Sequence, residues 1–139
     1  MAKSIKFKNN IYLDSRSICH NRELLSDILS SGLITTGTKT SNVTKSQNNY
    51  INSISLGKGT WLIVGEWRYE GFELSSWTDL KNATFCGASS KYDNNGYVND
   101  QVVGILINAS TSNKTVELNL WTRDKSITVL SSMCAIRIK

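Results

Sequence analysis

Residues 60–69, TWLIVGEWRY, form the stretch of this sequence that decides the fold. Successive side chains of a β-strand point to opposite faces of a sheet, and this stretch follows that period of two. One face is apolar and carries Trp61, Ile63, Trp67 and Tyr69. The other face becomes polar after Val64, at Glu66 and Arg68. The pattern predicts a long strand with Trp61 in the core.

Similar but shorter patterns recur along the rest of the chain, between turns rich in Gly, Asn and Ser. The further candidate strands are Ile51–Leu56, Asn82–Ala88, Gln101–Asn108, Thr115–Thr122, Ser126–Leu130 and Met133–Lys139. Residues 41–49 show no periodicity and are interpreted as a polar loop. Strands at this spacing, without intervening helices, are typical of an antiparallel sandwich or jelly roll. We therefore expect a mainly β head over residues 33–139.

Residues 1–32 differ from the head, because they combine an extended segment with one short amphipathic helix. The helix is predicted from Leu24, Leu25, Ile28 and Leu29, which share one face. Asn21 is a plausible N-cap and Gly32 a plausible C-terminal stop. A helix of about ten residues is marginal alone in water, so its leucine stripe needs a partner. That partner is either the head or the same helix of neighbouring chains, in which case residues 1–32 form a trimeric collar.

Composition excludes several functional classes. The chain of 139 residues is 40% hydrophobic and 19% charged, which fits one domain with an appendage. Its net charge of +5 comes from scattered basic residues, without the clustered footprint of a nucleic-acid-binding protein. No apolar run approaches the ~20 residues of a membrane span. The N-terminus lacks the apolar block of a secretory signal peptide, so we expect any export to use another route.

The sequence contains few candidate residues for catalysis or metal binding. His20 is the only histidine, and Cys19, Cys86 and Cys134 are too far apart in sequence for a zinc or redox motif. The alternating pattern places Cys86 and Cys134 in apolar strands as small buried hydrophobes. Carboxylates such as Glu66 are interpreted as part of a solvated rim. We expect a protein that is not an enzyme and that holds no cofactor or metal.

The strongest candidate for ligand binding is Trp121 with Arg123 and Asp124. Trp121 falls on the outward parity of the strand 115–122, just before the charged pair. An exposed indole can cover the apolar face of a sugar while neighbouring charged groups bond to its hydroxyls. The alternative is that Trp121 packs against a neighbouring subunit, since tryptophan is also enriched at protein interfaces.

A second candidate lies in the segment KYDNNGYVND, residues 91–100, and consists of Tyr92, Asp93 and Tyr97. Its oxygen donors lack the spacing of a calcium-binding EF-hand loop. Asn95 and Gly96 instead favour a turn that closes a β-hairpin.

Three segments resemble receptor-binding and tail-fibre proteins from phages of Gram-positive bacteria. They are SIKFKNNIYLDSRSICHNRELLSDIL (residues 4–29), SISLGKGTWLIVGEW (53–67) and LNLWTRDKSITVLSSMCAIRIK (118–139). The resemblance implies a homotrimeric head, a jelly roll similar to the tumour-necrosis-factor-like fold. It also implies a virion protein that works outside the host cell, contacts other tail or baseplate proteins and adheres to host surface polysaccharide. The alternative is a structural trimerisation or capping module of a tail fibre that contacts no receptor.

Overall fold

A computed structural model of the chain describes residues 32–71, 74–93 and 96–139, and within these ranges it consists of β-strands, turns and loops without helix. Nine strands are numbered in chain order: β1 (Leu33–Thr35), β2 (Lys39–Val43), β3 (Asn48–Leu56), β4 (Gly59–Glu70), β5 (Ser76–Lys81), β6 (Thr84–Asp93), β7 (Tyr97–Asn108), β8 (Lys114–Thr122) and β9 (Ile127–Arg137). The expected mainly β, antiparallel architecture is thus confirmed. The predicted strand–helix collar and His20 lie outside the described residues.

The strands form two sheets that face each other like a sandwich. The larger sheet has the order β1-β9-β4-β7-β6, and β2 also pairs with β9. The smaller sheet has the order β3-β8-β5. Three of the antiparallel pairs join strands that are distant in the sequence: β2 with β9, β3 with β8, and β4 with β7. The sandwich is therefore held together mainly by long-range pairing.

Strand β4 is central in the larger sheet and shows the predicted alternation. It pairs with β7 on one side and β9 on the other. Trp61, Ile63 and Trp67 are buried, whereas Glu66 and Arg68 are exposed. Both sheets contribute side chains to the core between them. The side chains that are fully or almost fully buried include Ile51, Leu56, Ile63, Trp67, Val98, Val102, Val116, Leu118, Leu120 and Val129. Burying each such side chain contributes roughly 1.5–3 kcal/mol, so the alternating pattern accounts for the position of the core.

The structure corrects four details of the strand assignment. Residues 41–49 are not one loop, because β2 extends to Val43 and β3 begins at Asn48. Polar side chains occupy both faces of these strands, including the half-buried Ser41 and Asn49, which hides the strand signal. Strand β5 was not predicted, and the last two predicted strands form the single strand β9. Neither cysteine is fully buried as predicted: Cys86 is exposed, because the β6–β7 pairing is irregular between Phe85 and Gly87, and Cys134 is half-buried.

Strand β3 contains a β-bulge at Ile51. Tyr50 pairs with Asn119 of β8, and Asn52 pairs with the next residue, Leu118, so one residue of β3 is extra. A bulge of this kind reverses the inside–outside parity of the strand. Tyr50 before the bulge is half exposed, and Asn52 after it is buried.

Buried hydrogen bonds hold this bulge. The Asn52 side-chain amide donates to the Ser131 carbonyl oxygen at 3.2 Å. The Ser131 hydroxyl donates to the Ile51 carbonyl oxygen at 3.3 Å. Because Ser131 belongs to β9 of the larger sheet, these bonds also tie the two sheets together.

Candidate saccharide-binding face

Two tryptophans lie side by side on the outer face of the smaller sheet. Val116, Leu118 and Leu120 of β8 are fully buried, so the alternate residues of β8 face away from the core. Trp121 is one of these outward residues, and it pairs directly with Trp77 of β5. Trp121 is half-buried and Trp77 is 65% exposed. Trp121 therefore faces outward in the structure, as its position in the strand predicted.

Tyr50 adds a third aromatic side chain to this face. It lies on β3, on the far side of β8 from Trp77, and pairs with Asn119, two residues before Trp121. Its ring is 50% exposed. The phenol oxygen is 2.8 Å from the Ser53 hydroxyl, and Lys39 Nζ lies 4.4 Å from the ring centroid. These two contacts hold the ring in place. We call Trp77, Trp121 and Tyr50 the aromatic face.

Polar side chains occupy the remaining positions around the aromatic face. Asn48 pairs with Trp121 on the side opposite Trp77. Asn119 and Asp79 form the next row with Tyr50. One carboxylate oxygen of Asp79 accepts a hydrogen bond from the backbone N–H of Leu80 at 2.8 Å, which orients the carboxylate. Amides and a carboxylate beside aromatic rings are the groups that bond to sugar hydroxyls.

An ion pair follows one row further from the tryptophans. Lys81 Nζ lies 3.6 Å from a carboxylate oxygen of Glu117, and the two residues pair across β5 and β8. Lys81 is exposed and Glu117 is half-buried, and ion pairs at the surface contribute little to stability. The effect of this pair on the face is to neutralise both charges locally.

Arg123 and Asp124 lie in the turn between β8 and β9, at the tryptophan end of the smaller sheet. Both are exposed. The backbone N–H of Arg123 donates to the Ser75 carbonyl oxygen at 3.0 Å, and the Ser46 hydroxyl donates to the Arg123 carbonyl oxygen at 3.2 Å. The turn is thus tied to the segments that lead into β5 and β3. Arg123 and Asp124 border the aromatic face at that end.

The second predicted group does not join this face. Tyr92 and Asp93 end β6 and pair with Val98 and Tyr97, at the start of β7 in the larger sheet. Tyr97 faces away from the core there, and the Arg68 guanidinium carbon lies 3.5 Å from the centroid of its ring. The expected hairpin is present, and Gly96 has a φ of 83°, a value that glycine adopts easily. Because Tyr97 and Trp121 belong to the outer faces of opposite sheets, the two groups are separate sites.

A buried carboxylate, Asp100, lies between the sheets behind the aromatic face. Its Oδ2 accepts hydrogen bonds from Thr78 Oγ1 at 3.2 Å and Ser76 Oγ at 3.5 Å. Its Oδ1 is buried without a hydrogen-bond partner among the described residues. Burial raises the pKa of Asp100 above its usual value of 3.8, and the hydroxyls of Ser90, Thr78 and Ser76 lower it in part. Asp100 faces the core, so it influences stability rather than a surface ligand.

Within the described ranges, no three His, Cys, Asp or Glu side chains lie close enough to hold a metal ion. That part of the chain also contains no helix with the length and hydropathy needed to cross a bilayer.

Trp77 and Tyr50 are the members of the face that sequence reasoning missed. The segment SWTDLK of β5 alternates, with Thr78 and Leu80 inward and Trp77 outward, and this signal was available. Tyr50 carried no such signal, because the bulge at Ile51 reverses its parity relative to residues 52–56. The pairing of Trp77 with Trp121 depends on a register between distant strands, which local periodicity does not encode.

Comparison of the chain with protein-family models, with curated proteins and with solved structures found no match.

Proposed function

We propose that this chain is the receptor-binding tip of a phage tail, or of a phage-tail-like particle, and that it adheres to saccharide on the host cell surface. The observation that carries the proposal is the pair Trp77 and Trp121 on an outer face of the sandwich. Trp77 is 65% exposed and lies beside a second tryptophan, and an exposed apolar patch of this kind indicates a surface that contacts a partner. Exposed indoles beside amides and a carboxylate favour a sugar ligand, because they match its apolar ring face and its hydroxyl rim.

The strand pairing supports a jelly roll for the head. A jelly roll is an antiparallel ribbon rolled up so that early strands pair with late ones. The pairs β2–β9, β3–β8 and β4–β7 follow this rule. The connection between β5 and β6 is then the tip of the ribbon. The departure is β6, which pairs with β7 in the larger sheet instead of extending the smaller one.

Apolar residues on the outer face of the larger sheet support the proposal that the protein is a trimer. Near the middle of β4 this face carries Val64, which pairs with Val103 of β7 and Cys134 of β9. All three are half-buried, and Ile107 further along β7 is 70% exposed. We call these four residues the apolar patch. Association of three heads through this patch, with residues 1–32 as a collar, would multiply weak saccharide sites into avid adhesion.

A cell-wall binding experiment tests the proposal. The purified protein is incubated with cell-wall polysaccharide fractions from a panel of Gram-positive bacteria, and bound protein is recovered by sedimentation. We expect retention by at least one fraction and a strong reduction in Trp77→Ala and in Trp121→Ala. Both variants should keep the melting temperature of the parent, since the two side chains lie outside the core.

Other outcomes have definite meanings. If the parent is retained by no fraction, the protein is better described as a structural trimerisation or capping module of a fibre. If the parent is retained and both tryptophan variants bind equally well, the ligand uses another surface, of which the Tyr97 group is the first to examine.

A further inference from the structure

We propose that the aromatic face binds a run of about two to three pyranose rings that crosses the strands obliquely from Trp77 over Trp121 to Tyr50. The ligand is then a polysaccharide with ring sugars in its backbone, as opposed to a polyol-phosphate chain. This inference rests on the proposed saccharide adhesion and names the ligand class and its direction on the sheet.

The strand register gives the spacing. Trp77 and Trp121 are directly opposed on neighbouring strands, so their Cβ atoms are about 5 Å apart. Tyr50 is a diagonal neighbour of Trp121, and such neighbours are about 7–8 Å apart. The three aromatics therefore form one line across β5, β8 and β3 that runs straight from Trp77 to Trp121 and diagonally from Trp121 to Tyr50. Steps of this size match successive rings of one saccharide chain better than a single compact sugar.

The contacts of Tyr50 prepare it for this role. The Ser53 hydroxyl at 2.8 Å and the Lys39 ammonium at 4.4 Å from the ring centroid restrict its rotation. A side chain that is already fixed loses less conformational entropy when a ligand binds. Tyr50 is nevertheless half exposed, so its ring still has free surface to offer.

The charges of the face favour a ring sugar over a phosphate chain. Phosphates are bound where several cations converge. Here the carboxylate of Asp79 lies beside Asn119 within the row that follows the tryptophans. Lys81, one row further, is already paired with Glu117. Arg123 lies in the turn beyond Trp121 and Lys39 lies against the Tyr50 ring, so the row of Trp121 and Trp77 separates the two residues.

The test uses the polysaccharide that the cell-wall experiment retains. Partial hydrolysis and size fractionation give a ladder from single sugars to pentasaccharides, and tryptophan fluorescence titration gives the affinity for each length. We expect affinity to rise with each ring up to about three rings and then to level off. Since neutral stacking is insensitive to ionic strength, affinity should change little between low and high salt.

Three variants locate the rings. Trp77→Ala and Tyr50→Ala should each weaken trisaccharide binding by about tenfold and should leave the affinity for a single sugar nearly unchanged. Trp121→Ala, at the centre of the line, should weaken binding at every length. Phe85→Ala is the matched control, because Phe85 is an aromatic side chain of 44% exposure on β6 of the larger sheet. It should bind like the parent.

The result that overturns this inference leaves the adhesion proposal standing. Affinity that does not depend on length, or a Tyr50→Ala variant that binds long oligomers like the parent, refutes the three-ring line. Retention of a polyol-phosphate polymer freed of its sugar substituents, with loss of binding at high salt, refutes the ligand class. Failure of the parent to bind any cell-wall fraction refutes the adhesion proposal itself.

Discussion

Trp67 and Thr78 connect the two sheets through a buried hydrogen bond, in which the indole N–H of Trp67 donates to Thr78 Oγ1 at 2.8 Å. The same hydroxyl donates onward to Asp100 Oδ2 at 3.2 Å. One threonine thus satisfies a donor from β4 and an acceptor from β7. Because Thr78 is the neighbour of Trp77 on β5, this inner contact also fixes the strand that presents Trp77 to solvent.

Loss of the Thr78 hydroxyl should destabilise the head. Thr78→Val keeps the shape of the side chain but leaves the Trp67 indole N–H without its acceptor and removes a donor from Asp100. An unsatisfied buried polar group costs about 1–3 kcal/mol, so we expect the free energy of unfolding to fall by about 2 kcal/mol or more. Urea denaturation followed by tryptophan fluorescence measures the change.

The control for this variant is Thr128→Val. Thr128 Oγ1 also donates to a side chain, Asn42 Oδ1 at 3.0 Å, but both groups are exposed and water can replace the lost bond. Its free energy of unfolding should change by less than about 0.5 kcal/mol. Equal effects of the two substitutions would show that the inner contact has no special importance.

The pH dependence of stability should contain a contribution from Asp100. Its pKa is raised by burial, so the folded protein holds this proton more tightly than the unfolded chain. The resulting stabilisation is fully present below the unfolded pKa, near 3.8, and is lost as the pH rises through the folded pKa. The asparagine of Asp100→Asn does not ionise, so the variant does not lose this stability as the pH rises. We therefore expect the stability of the variant relative to the parent to increase with pH across that window.

Urea titrations at a series of pH values measure this difference. Glu70→Gln, the substitution of an exposed carboxylate on β4, serves as the control and should track the parent. A stability difference between Asp100→Asn and the parent that does not change with pH would mean that Asp100 ionises equally in both states.

Gly104 should not tolerate a side chain. A Cβ atom at this position would lie 2.9 Å from the Thr84 carbonyl oxygen and 2.8 Å from a methyl carbon of Leu80. The backbone of β6 would have to move, and overpacking of this kind costs about 1–3 kcal/mol. Gly104→Ala should therefore lower the melting temperature measured by calorimetry.

Gly87 provides the comparison on the same pair of strands. A Cβ atom there meets nothing within 4 Å. Gly87→Ala should leave the melting temperature unchanged or raise it slightly, since alanine loses less backbone entropy on folding than glycine. If both alanine variants melt at the same temperature, Gly104 tolerates a side chain and the prediction is wrong.

The proposed trimer depends on the apolar patch. Val64→Glu introduces a charge between Val103 and Cys134, and burying an unpaired carboxylate in a subunit contact is strongly unfavourable. We expect the parent to be a trimer by light scattering at micromolar concentration and Val64→Glu to be a monomer. The circular dichroism spectrum of the variant should remain that of a folded β protein.

Thr128→Glu is the matched substitution, because Thr128 is an exposed residue of β9 outside the apolar patch. It should leave the trimer intact. A monomeric parent would refute the trimer, and a trimeric Val64→Glu variant would place the subunit contact elsewhere.

Local alternation predicted much of the fold. The face of β4 with Trp61 and Trp67 and the outward position of Trp121 follow directly from period-two patterns. Backbone geometry gives a strand its side-chain period of two, and burial of one face makes that period visible in the sequence. Strand β2 was missed because Val43 is its only apolar residue, so no apolar alternation reveals it.

The candidate site was less predictable than the fold. Trp121 was found from its own strand, but its pairing with Trp77 depends on the β5–β8 register. The Tyr97 group was placed correctly in a hairpin, yet nothing local indicates which sheet that hairpin joins. Proximity between distant residues follows from the whole topology, so only the structure brings Trp77, Trp121 and Tyr50 together.

The bulge at Ile51 makes the outward position of the third ring independent of the exact length of β3. In a β3 of the same length without the bulge, the inside–outside alternation would run unbroken from residues 52–56 back to Tyr50, and the ring would point into the core. Because the bulge takes up one residue, a one-codon deletion of Ile51 would place Tyr50 next to Asn52, still opposite Asn119 and still outward. In related chains, β3 could thus lose one residue at this point while the third ring stayed on the surface.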